Sequence, residues 1–310
     1  MNIHFAPVQG HTDAPYRRIH AECYRPADTY YTPFIRLERG APRSRDMRDI
    51  LPEANTGLHL VPQVIFRDAD ELLPLVEALS EAGAREIDIN MGCPFPLQTA
   101  RGRGAALAGN ADAARLVRRV TEGNPEISFS VKMRLGMSDP DEWRRVLPIL
   151  NDASLHHVTL HPRVARQQYG GEVDMERFGE FYSMSENPVV YNGDLLTPED
   201  VARLAGEFPD LEGIMIGRGL LGRPSLTDEI AEGSPWEHGR RVKAMLGFHR
   251  RLLNHYEDIL CGDAQLISKI QPFWEYAEEE IGRKPWKAIK KAGNMAKYHS
   301  AVAMISPSGD

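Results

Sequence analysis

Short apolar runs alternate with amphipathic segments from the start of the chain to about residue 230. The runs are rich in β-branched and aromatic residues and end in glycine or polar residues, a pattern that predicts strands. They lie at Ile3–Ala6, Thr29–Thr32, Leu60–Ile65, Glu86–Asn90, Ser128–Met133, His157–His161, Pro188–Asn192 and Gly213–Ile216. Strands that alternate with helices in this way predict a parallel sheet of the α/β class.

The segments between these strands carry helix signals. Apolar residues recur at helical spacing in residues 70–82 and 111–120. The run Thr197-Pro198-Glu199-Asp200 offers an N-cap, a proline at the first helical position and acids in the first turn, so it predicts a helix start. After residue 233 the alternation stops, and residues 238–305 have a helical pattern throughout. We therefore predict two domains, an α/β domain over residues 1–233 and a small all-helical domain over residues 234–310.

Two α/β architectures fit this order of elements, a (β/α)8 TIM barrel and a doubly wound open sheet. Polar residues gather at the carboxyl ends of the predicted strands: Gln63, Asn90, Lys132, Arg134, His161, Arg163, Asn192, Asp194 and Arg218. In a barrel those ends meet at one mouth, where active sites are built, whereas in an open sheet they spread along an edge. The pattern favours the TIM barrel.

Composition and charge exclude several classes of protein. The chain has 310 residues, 42% hydrophobic and 26% charged, with a net charge of -7, which excludes disordered and collagen-like chains. No apolar run approaches the roughly 20 residues of a membrane span, and the N-terminus lacks the features of a signal peptide. Three widely spaced cysteines provide no disulfide framework. We expect a cytoplasmic protein with no membrane association, and nothing indicates a stable protein partner.

The charge is unevenly distributed along the chain. Residues 234–310 contain 12 Lys and Arg against 9 Asp and Glu, and no acid occurs in residues 281–298. The cations of that stretch are Arg283, Lys284, Lys287, Lys290, Lys291 and Lys297. One interpretation is an ordinary solvated helix face, and the other is a patch that binds a polyanion such as nucleic acid.

Three patterns have the residue types of a chemical site. Asn90-Met91-Gly92-Cys93-Pro94 places a thiol and an amide just after a strand, although a lone cysteine is more often a small core residue. His157 and His161 alternate on one strand face, but no neighbouring ligand completes a metal set, and we predict no metal. The glycines of residues 217–222 match a dinucleotide motif, yet no strand follows them, which favours a monophosphate site instead.

Together these segments resemble the tRNA-dihydrouridine synthases, a family of flavin enzymes with a TIM barrel and a C-terminal helical domain. Asn90-Met91-Gly92-Cys93-Pro94 resembles the family's Asn-x-Gly-Cys-Pro signature. The other matching segments are Ala6-Pro7-Val8-Gln9-Gly10, Val131-Lys132-Met133-Arg134-Leu135-Gly136, His161-Pro162-Arg163, Gln168-Tyr169-Gly170-Gly171, Asn192-Gly193-Asp194 and Ile216-Gly217-Arg218-Gly219. Each match is weak alone, but their common order along nearly the whole chain is specific.

The resemblance implies a reaction and a cofactor. It implies that the C5–C6 bond of uracil in tRNA is reduced by hydride transfer from FMN to C6, with NADPH or NADH as reductant. Cys93 is the implied general acid for C5, and Asn90 is expected to hold the extruded base. A thiol whose pKa lies near about 8.5 is protonated at neutral pH and is still able to release its proton.

The resemblance also implies which residues contact the flavin. Lys132 and His161 are expected near the ring and its side chain, and Gln63 at the ring edge. Pro7, Val8 and Gln9 are expected to supply backbone and van der Waals contacts. The phosphate is expected after the last two strands, at Asn192, Gly193, Asp194, Gly217 and Arg218, which is a common location in TIM barrels.

RNA contacts are expected at a further set of residues. They are Arg36, Arg134, Arg163 and Tyr169 on the barrel, and Lys284, Lys287 and Lys291 on the helical domain. Thr32-Pro33-Phe34-Ile35-Arg36 resembles the C-type branch, which acts on position 16 of tRNA, and we lean toward that branch. The segment after Cys93 departs from the family because it lacks the usual Ser-Lys start, and His161-Pro162 replaces His-Gly.

Two other functions remain as alternatives. A flavin TIM-barrel oxidoreductase acting on a free small molecule, similar to dihydroorotate dehydrogenase, shares the flavin residues but does not need the basic helical stretch. An RNA-binding protein without catalysis does not need Cys93, Asn90, Lys132 and His161. Ribosomal RNA is the alternative to tRNA as the target of the same reaction.

Overall fold

This computed structural model describes residues 1–307. Residues 308–310, the end of the second predicted domain, lie outside the described part. The strands are β1 (Asn2–Phe5), β2 (Thr29–Tyr31), β3 (Leu37–Glu38), β4 (Ala41–Pro42), β5 (Leu60–Val61), β6 (Gln63–Ile65), β7 (Glu86–Met91), β8 (Ser128–Gly136), β9 (His157–Val164), β10 (Val189–Tyr191) and β11 (Gly213–Ile216).

The helices separate most of these strands and then follow the last one. They are α1 (Ala14–Cys23), α2 (Ser44–Asp49), α3 (Ala69–Glu81), α4 (Pro96–Thr99), α5 (Ala111–Gly123), α6 (Leu147–Asn151), α7 (Met175–Met184), α8 (Pro198–Glu207), α9 (Arg218–Gly222), α10 (Leu226–Glu232), α11 (His238–Ile259), α12 (Asp263–Ile270), α13 (Glu278–Ile281), α14 (Arg283–Lys290) and α15 (Met295–Val302).

Nine parallel strands form a sheet in the order β5-β2-β1-β11-β10-β9-β8-β7-β6. Its two end strands, β5 and β6, are consecutive in the chain and are separated only by Pro62, which has no N–H to donate. The run 60–65 therefore pairs with β2 through its first part and with β7 through its second, and the sheet closes on itself. The predicted TIM barrel is confirmed, and β3 and β4 form a separate hairpin outside it.

Local chemistry sets the helix starts. Asp68 caps α3, Asn110 caps α5, and the predicted start at Thr197 is confirmed. There the Thr197 hydroxyl accepts a hydrogen bond from the Asp200 N–H, and the Asp200 carboxylate accepts one from the Thr197 N–H. This reciprocal capping satisfies two backbone donors that a helix start otherwise leaves open.

The barrel interior has an apolar middle layer and a polar layer at each end. Ala6, Tyr31, Val61, Val190 and Met215 form the apolar cluster inside the ring of strands. Toward the amino ends of the strands, the Tyr31 hydroxyl lies 2.9 Å from Nδ1 of His4 and 3.3 Å from Nε2 of His157. The carboxyl ends carry the second polar layer, described below.

All regular structure after β11 in residues 1–307 is helical. Helix α11 packs on α1 of the barrel, and Tyr298, Trp274 and His249 form a buried polar contact inside the helical part. The division at residue 233 stays a prediction, although α10 ends there at a left-handed glycine, Gly233. None of the helices in the described part is long and apolar enough to cross a bilayer.

Candidate active site

A cavity of about 360 Å³ opens at the carboxyl ends of the barrel strands. Its volume is in the range of small-molecule and cofactor sites. Strands β1, β6, β7, β8, β9, β10 and β11 or the loops that follow them contribute to its wall, and the helical region adds Glu275 and Tyr276. The polar residues that the sequence places at strand ends therefore do meet at one mouth.

Cys93 lies in this cavity on a turn that Asn90 holds in shape. The Asn90 side-chain oxygen accepts hydrogen bonds from the Gly92 N–H at 3.1 Å and from the Cys93 N–H at 2.9 Å. Gly92 itself packs against the backbone of β8, since a Cβ there would lie 3.1 Å from the carbonyl carbon of Met133. Asn90 thus positions the thiol through its side-chain oxygen, and its side-chain NH2 group donates to a different partner.

That partner belongs to a chain of buried hydrogen bonds across three strands. The Asn90 amide donates to Gln63 Oε1 at 2.7 Å, and the Gln63 amide donates to Asp88 at 2.7 Å. The second carboxylate oxygen of Asp88 accepts from the Ser130 hydroxyl at 2.6 Å. Buried polar groups need partners of this kind, and the network fixes the rotamers of Asn90 and Gln63.

The Cys93 thiol is free and half-buried. Burial raises its pKa above the ordinary value, against the smaller opposing effects of a backbone hydrogen bond and of Arg134 and Lys132. Gly104 packs directly on the turn: its φ is +60°, and a Cβ would lie 2.9 Å from Cys93 Cβ. The Ala105 N–H donates to the Cys93 carbonyl at 3.0 Å, so the loop after the turn braces the cysteine.

Lys132 is the cation of the cavity wall. Its ammonium donates to the Asn192 side-chain oxygen at 2.6 Å, and the Asn192 amide donates to the Met215 carbonyl at 2.7 Å. Burial, and secondly the neighbouring Arg134, lower the pKa of Lys132 to about 8. The side chain is therefore a desolvated ammonium that any bound anionic group stabilises.

His161 is a neutral member of the same wall. Burial and the surrounding cations hold its pKa well below the usual value. Its Nε2 accepts from an Arg163 guanidinium nitrogen at 3.1 Å, so Nδ1 carries the proton and is the donor. His161 therefore offers the cavity a neutral hydrogen-bond donor, Nδ1–H, and no positive charge.

A carboxylate, Asp194, holds two arginines together at the far side of the cavity. It accepts from Arg163, which is 1% exposed, and from Arg218 at 2.7 Å. The Arg218 guanidinium also lies over the Tyr169 ring, 4.4 Å from its centroid, and Arg134 approaches the same ring at 5.4 Å. Tyr169 is thereby held between two guanidiniums at the cavity rim.

Sequence comparison places the chain in a family. The profile of the family described as dihydrouridine synthase (Dus) matches residues 4–298. This chain belongs to the dihydrouridine synthase family.

Similar proteins agree with that assignment. A probable tRNA-dihydrouridine synthase of Treponema pallidum is 27% identical over 98% of this chain and 92% of its own length. A probable tRNA-dihydrouridine synthase of Rhodobacter capsulatus is 30% identical over 82% of this chain and 78% of its own length. The expectations of an enzyme, of a flavin oxidoreductase and of dihydrouridine formation are confirmed at the level of the family, which does not favour the free small-molecule alternative.

Solved structures support the fold of this chain. Morphinone reductase matches with a TM-score of 0.51 at 13% identity, over 76% of this chain and 87% of its own. The old yellow enzyme homologue of Zymomonas mobilis matches with a TM-score of 0.51 at 14% identity, over 76% of this chain and 90% of its own. At these identities the likeness concerns the barrel alone.

The residues of the cavity fit a flavin. The Lys132 ammonium and the Nδ1 proton of His161 suit the acceptor atoms of an electron-rich ring. The Gly193 and Asp194 N–H groups donate to no other group in residues 1–307. A Cβ on Gly193 would lie 1.9 Å from the Tyr191 hydroxyl, so only glycine keeps this backbone in place. Free N–H groups beside the Arg218 guanidinium suit a phosphate.

The cavity brings together most of the residues predicted from the sequence. The lining includes Pro7, Val8, Gln9, Gln63, Asn90, Cys93, Lys132, Arg134, His161, Tyr169, Asn192, Gly193, Asp194, Gly217 and Arg218. Arg36, Lys284, Lys287 and Lys291 lie outside it, and Arg163 is buried behind Asp194. The geometry of Arg163 suits a positioning role better than the RNA contact expected from the sequence.

Several lining residues have no counterpart in the sequence expectations. His11, Phe34, Phe95, Glu275 and Tyr276 all contribute to the wall. His11 Nε2 lies 3.2 Å from a Glu275 carboxylate oxygen, which joins the loop after β1 to the helical region. Two of them had a sequence signal: Phe95 stands where the family's usual Ser-Lys start is missing, and Phe34 belongs to the segment that resembles the C-type branch.

Proposed function

We propose that this chain reduces the C5–C6 bond of a uracil base in tRNA, using FMN as flavin and NADPH or NADH as reductant. The observation that carries the proposal is that the thiol of Cys93 lies in the same cavity as Lys132 and His161. When bound, the flavin supplies the hydride for uracil C6. The names of the relatives point to tRNA as the substrate, and the C-type branch with position 16 is our working assignment.

In the proposed reaction Cys93 completes the reduction. The sulfur gives its proton to C5 of uracil as the new C–H bond forms, and the resulting thiolate is protonated again from solvent. Asn90 keeps the Cys93 turn in place through two N–H contacts, and its remaining amide hydrogen is free to meet a base edge. The raised pKa keeps the thiol in its protonated form at neutral pH.

We further propose roles for the flavin-facing residues. Lys132, held by Asn192, compensates negative charge on the reduced ring, and His161 donates from Nδ1. The Gly193 and Asp194 N–H groups, with Gly217 and Arg218, bind the phosphate. Pro7, Val8 and Gln9 close the side formed by the loop after β1.

The RNA is proposed to contact both parts of the chain. Tyr169, Arg134 and Arg36 lie on the barrel side, and Lys284, Lys287 and Lys291 lie on the helical domain of residues 234–310. All three lysines are exposed on α14 or directly after it. A cytoplasmic location follows from a tRNA substrate and is part of the proposal.

The test is dihydrouridine formation on defined RNA. Purified protein reconstituted with FMN and NADPH is incubated with an unmodified tRNA transcript, and the product is mapped by nucleotide. Wild type is expected to reduce one uridine, and Cys93→Ala to lose at least about 100-fold in rate, the usual effect of removing a general acid. Cys23→Ala, a half-buried cysteine outside the cavity, serves as the matched control.

Flavin occupancy separates loss of chemistry from loss of fold. Cys93→Ala is expected to bind FMN and to oxidise NADPH as wild type does. Product formation by Cys93→Ala at the rate of the Cys23→Ala control would show that another group donates the proton. A flavin-loaded wild type that leaves every uridine of the transcripts unreduced would overturn the proposed function.

A further inference from the structure

Two large apolar side chains stand in solvent directly after the cysteine turn. Phe95 is 67% exposed and Leu97 is 59% exposed. Phe95 also lines the cavity that holds Cys93, so it forms part of the rim through which a substrate enters. Neither side chain is covered by the described residues, and exposed apolar groups beside an active site commonly mark a binding surface.

The backbone presents Phe95 on a stiff support. Proline stands on both sides of it, in Pro94 and Pro96, and fixes φ at both positions. The Phe95 carbonyl accepts from the Gln98 N–H at 2.8 Å and from the Thr99 N–H at 3.0 Å, which closes a tight turn. An aromatic ring on so rigid a turn loses little conformational freedom when a partner covers it.

Arg36, Arg43, Arg101 and Arg103 lie close enough to interact, and Arg101 belongs to the segment that follows Phe95. Burial first, and then Arg43, Arg103 and Arg101, lower the pKa of Arg36. Two of the four arginines are neutralised, since Arg43 pairs with Asp46 and Arg103 pairs with Glu71. Arg36 and Arg101 form no ion pair within residues 1–307, although Glu38 lies near enough to act on Arg36.

The two unpaired arginines come from different segments of the chain. Arg101 lies just after α4, whose first turn Phe95 begins, and Arg36 lies two residues after Phe34, which lines the cavity. The surface therefore combines one open aromatic face with two guanidiniums that form no ion pair within residues 1–307. That combination matches a nucleotide, which offers a flat base together with a phosphate.

We infer that Phe95 and Leu97 form a stacking surface for the nucleotide next to the target uridine, and that Arg36 and Arg101 bind its phosphates. The inference rests on the proposed function and identifies where the substrate strand lies. When a uridine leaves its stack, its neighbour loses a stacking partner. The Phe95 ring replaces that partner and thereby favours the extruded state of the substrate.

A nucleotide fits this surface better than a protein or a membrane does. A stable protein interface buries about 800 Å² on each side, more than one aromatic and one leucine can provide. Anchoring in a bilayer needs a longer apolar face than two residues. Stacking of a base needs a single ring, and the flanking charges suit a phosphate backbone.

The experiment compares aromatic and aliphatic replacements at position 95. Phe95→Trp is expected to keep the affinity for the tRNA transcript, whereas Phe95→Leu and Phe95→Ala are expected to raise Kd and KM about tenfold. Affinity for FMN is expected to stay at the wild-type value in all three variants. Leu73→Ala is the matched control, because Leu73 is 50% exposed on α3 and does not line the cavity.

A change in the RNA tests the same contact from the other side. An abasic site is placed on either side of the target uridine, and the penalty of Phe95→Ala is expected to vanish for one of these two substrates. Arg36→Gln and Arg101→Gln are each expected to reduce the slope of log K against log salt by about 1. Equal affinities of Phe95→Leu and wild type, or a penalty that persists with both abasic substrates, would overturn the inference.

These readouts remain informative if the proposed reaction fails. Binding of the tRNA transcript is measured without flavin or NADPH, so it does not depend on catalysis. Wild type that binds the transcript with the expected dependence on Phe95 but forms no dihydrouridine would retain the stacking surface and reject the reaction. If the protein forms dihydrouridine and neither binding nor rate depends on Phe95, the reaction is retained and the stacking surface is rejected.

Discussion

Lys132 shows what burial does to a single side chain. Its ammonium is held by Asn192 inside the cavity, and no carboxylate in residues 1–307 forms an ion pair with it. Desolvation, with Arg134 nearby, lowers its pKa to about 8. Because the charged form exists below that pH, the cavity is more positive in mildly acidic solution than in alkaline solution.

This gives a prediction for flavin binding. The affinity of flavin-free protein for FMN is expected to be constant from pH 6.5 to 7.5 and to fall above pH 8, by at most about tenfold per pH unit. Quenching of FMN fluorescence measures it. Lys132→Met is expected to bind more weakly at pH 7 and to lose the pH dependence, while exposed Lys243→Met behaves as wild type. Equal wild-type affinities at pH 7 and pH 9.5 would contradict the prediction.

The residue scale also shows which roles sequence can and cannot predict. The positions of Cys93 and Lys132 in the cavity were predictable because each lies at or near the end of a strand predicted from the sequence, and barrel topology brings those ends together. The partners were not predictable. The Asn90 oxygen accepts from the Cys93 N–H in addition to the role expected from the sequence, and Arg163 pairs with Asp194, 31 positions away. Such contacts depend on side-chain packing, which leaves no periodic signal.

At the scale of elements, the loop after the cysteine turn is tied to α3 by one buried ion pair. Arg103 donates to Glu71 through Nε at 2.8 Å and through a terminal nitrogen at 2.5 Å. Both side chains are largely buried, and Glu71 also accepts from the Arg67 N–H. The pair fixes the segment that packs on Cys93 through Gly104 and Ala105.

Removing one partner leaves a buried charge without compensation. Glu71→Gln or Arg103→Gln is expected to lower the free energy of unfolding by about 2–3 kcal/mol, and the double variant to lose less than the sum. Urea denaturation measures these values, with exposed Arg101→Gln as a control expected within about 0.5 kcal/mol of wild type.

Reactivity of the thiol provides the second readout. Alkylation of Cys93 by iodoacetamide is expected to be faster in both single variants, because a looser loop exposes the sulfur. The Arg103→Lys variant keeps the charge but cannot form the two parallel hydrogen bonds, so it is expected to be intermediate. If both single variants are alkylated at the wild-type rate, and the double variant loses the sum of the two stability losses, then the pair does not brace the cysteine.

Elements were more predictable than contacts because their signals are local. The strand at 60–65 follows from its apolar residues, and the start of α8 follows from Thr197 and Asp200. The interruption at Pro62, which lets one run pair with both β2 and β7, depends on closure of the whole sheet. The lining by Glu275 and Tyr276 depends on how the helical region packs, and no short-range pattern indicates it.

At the scale of the whole molecule, several histidines are buried in neutral form. Burial is the first cause in each case, and it lowers the pKa of His4 and His20 to about 4 and that of His249 to about 3. His157 is lowered well below its usual value for the same reason. In the unfolded chain these groups return to an ordinary pKa near 6.5 and bind protons below that pH.

Stability is therefore expected to fall as pH decreases from 6.5 toward 4. At pH 5 each such histidine contributes a loss of roughly 2 kcal/mol relative to pH 7. His249→Gln keeps an acceptor for the Tyr298 hydroxyl and is expected to reduce the difference in unfolding free energy between pH 7 and pH 5 by about that amount. Exposed His299→Gln is the control, and an unchanged difference in His249→Gln would contradict the prediction.

The basic face of the helical region, formed by Lys284, Lys287 and Lys291, also concerns the whole molecule, because the proposed tRNA contacts both this face and the barrel. Lys284, Lys287 and Lys291 recur at spacings of three and four and form no ion pair within residues 1–307. Lys290 differs, since its ammonium lies 4.2 Å from the centroid of the Trp286 ring. These three lysines, all exposed on α14 or directly after it, are available to phosphates.

Reversing these three charges to glutamate is expected to weaken binding of the tRNA transcript by one to two orders of magnitude at low salt and to reduce the slope of log K against log salt by about 2 to 3. The matched control reverses Arg85, Arg115 and Arg119, which are exposed on the barrel and change the net charge equally. An equal loss in both triple variants would assign the effect to net charge, whereas wild-type affinity after reversal of the lysines would place the RNA on another surface. Because the proposed FMN site lies in the barrel, affinity for FMN is expected to be the same in both triple variants, and any loss of tRNA affinity then belongs to the helical face itself.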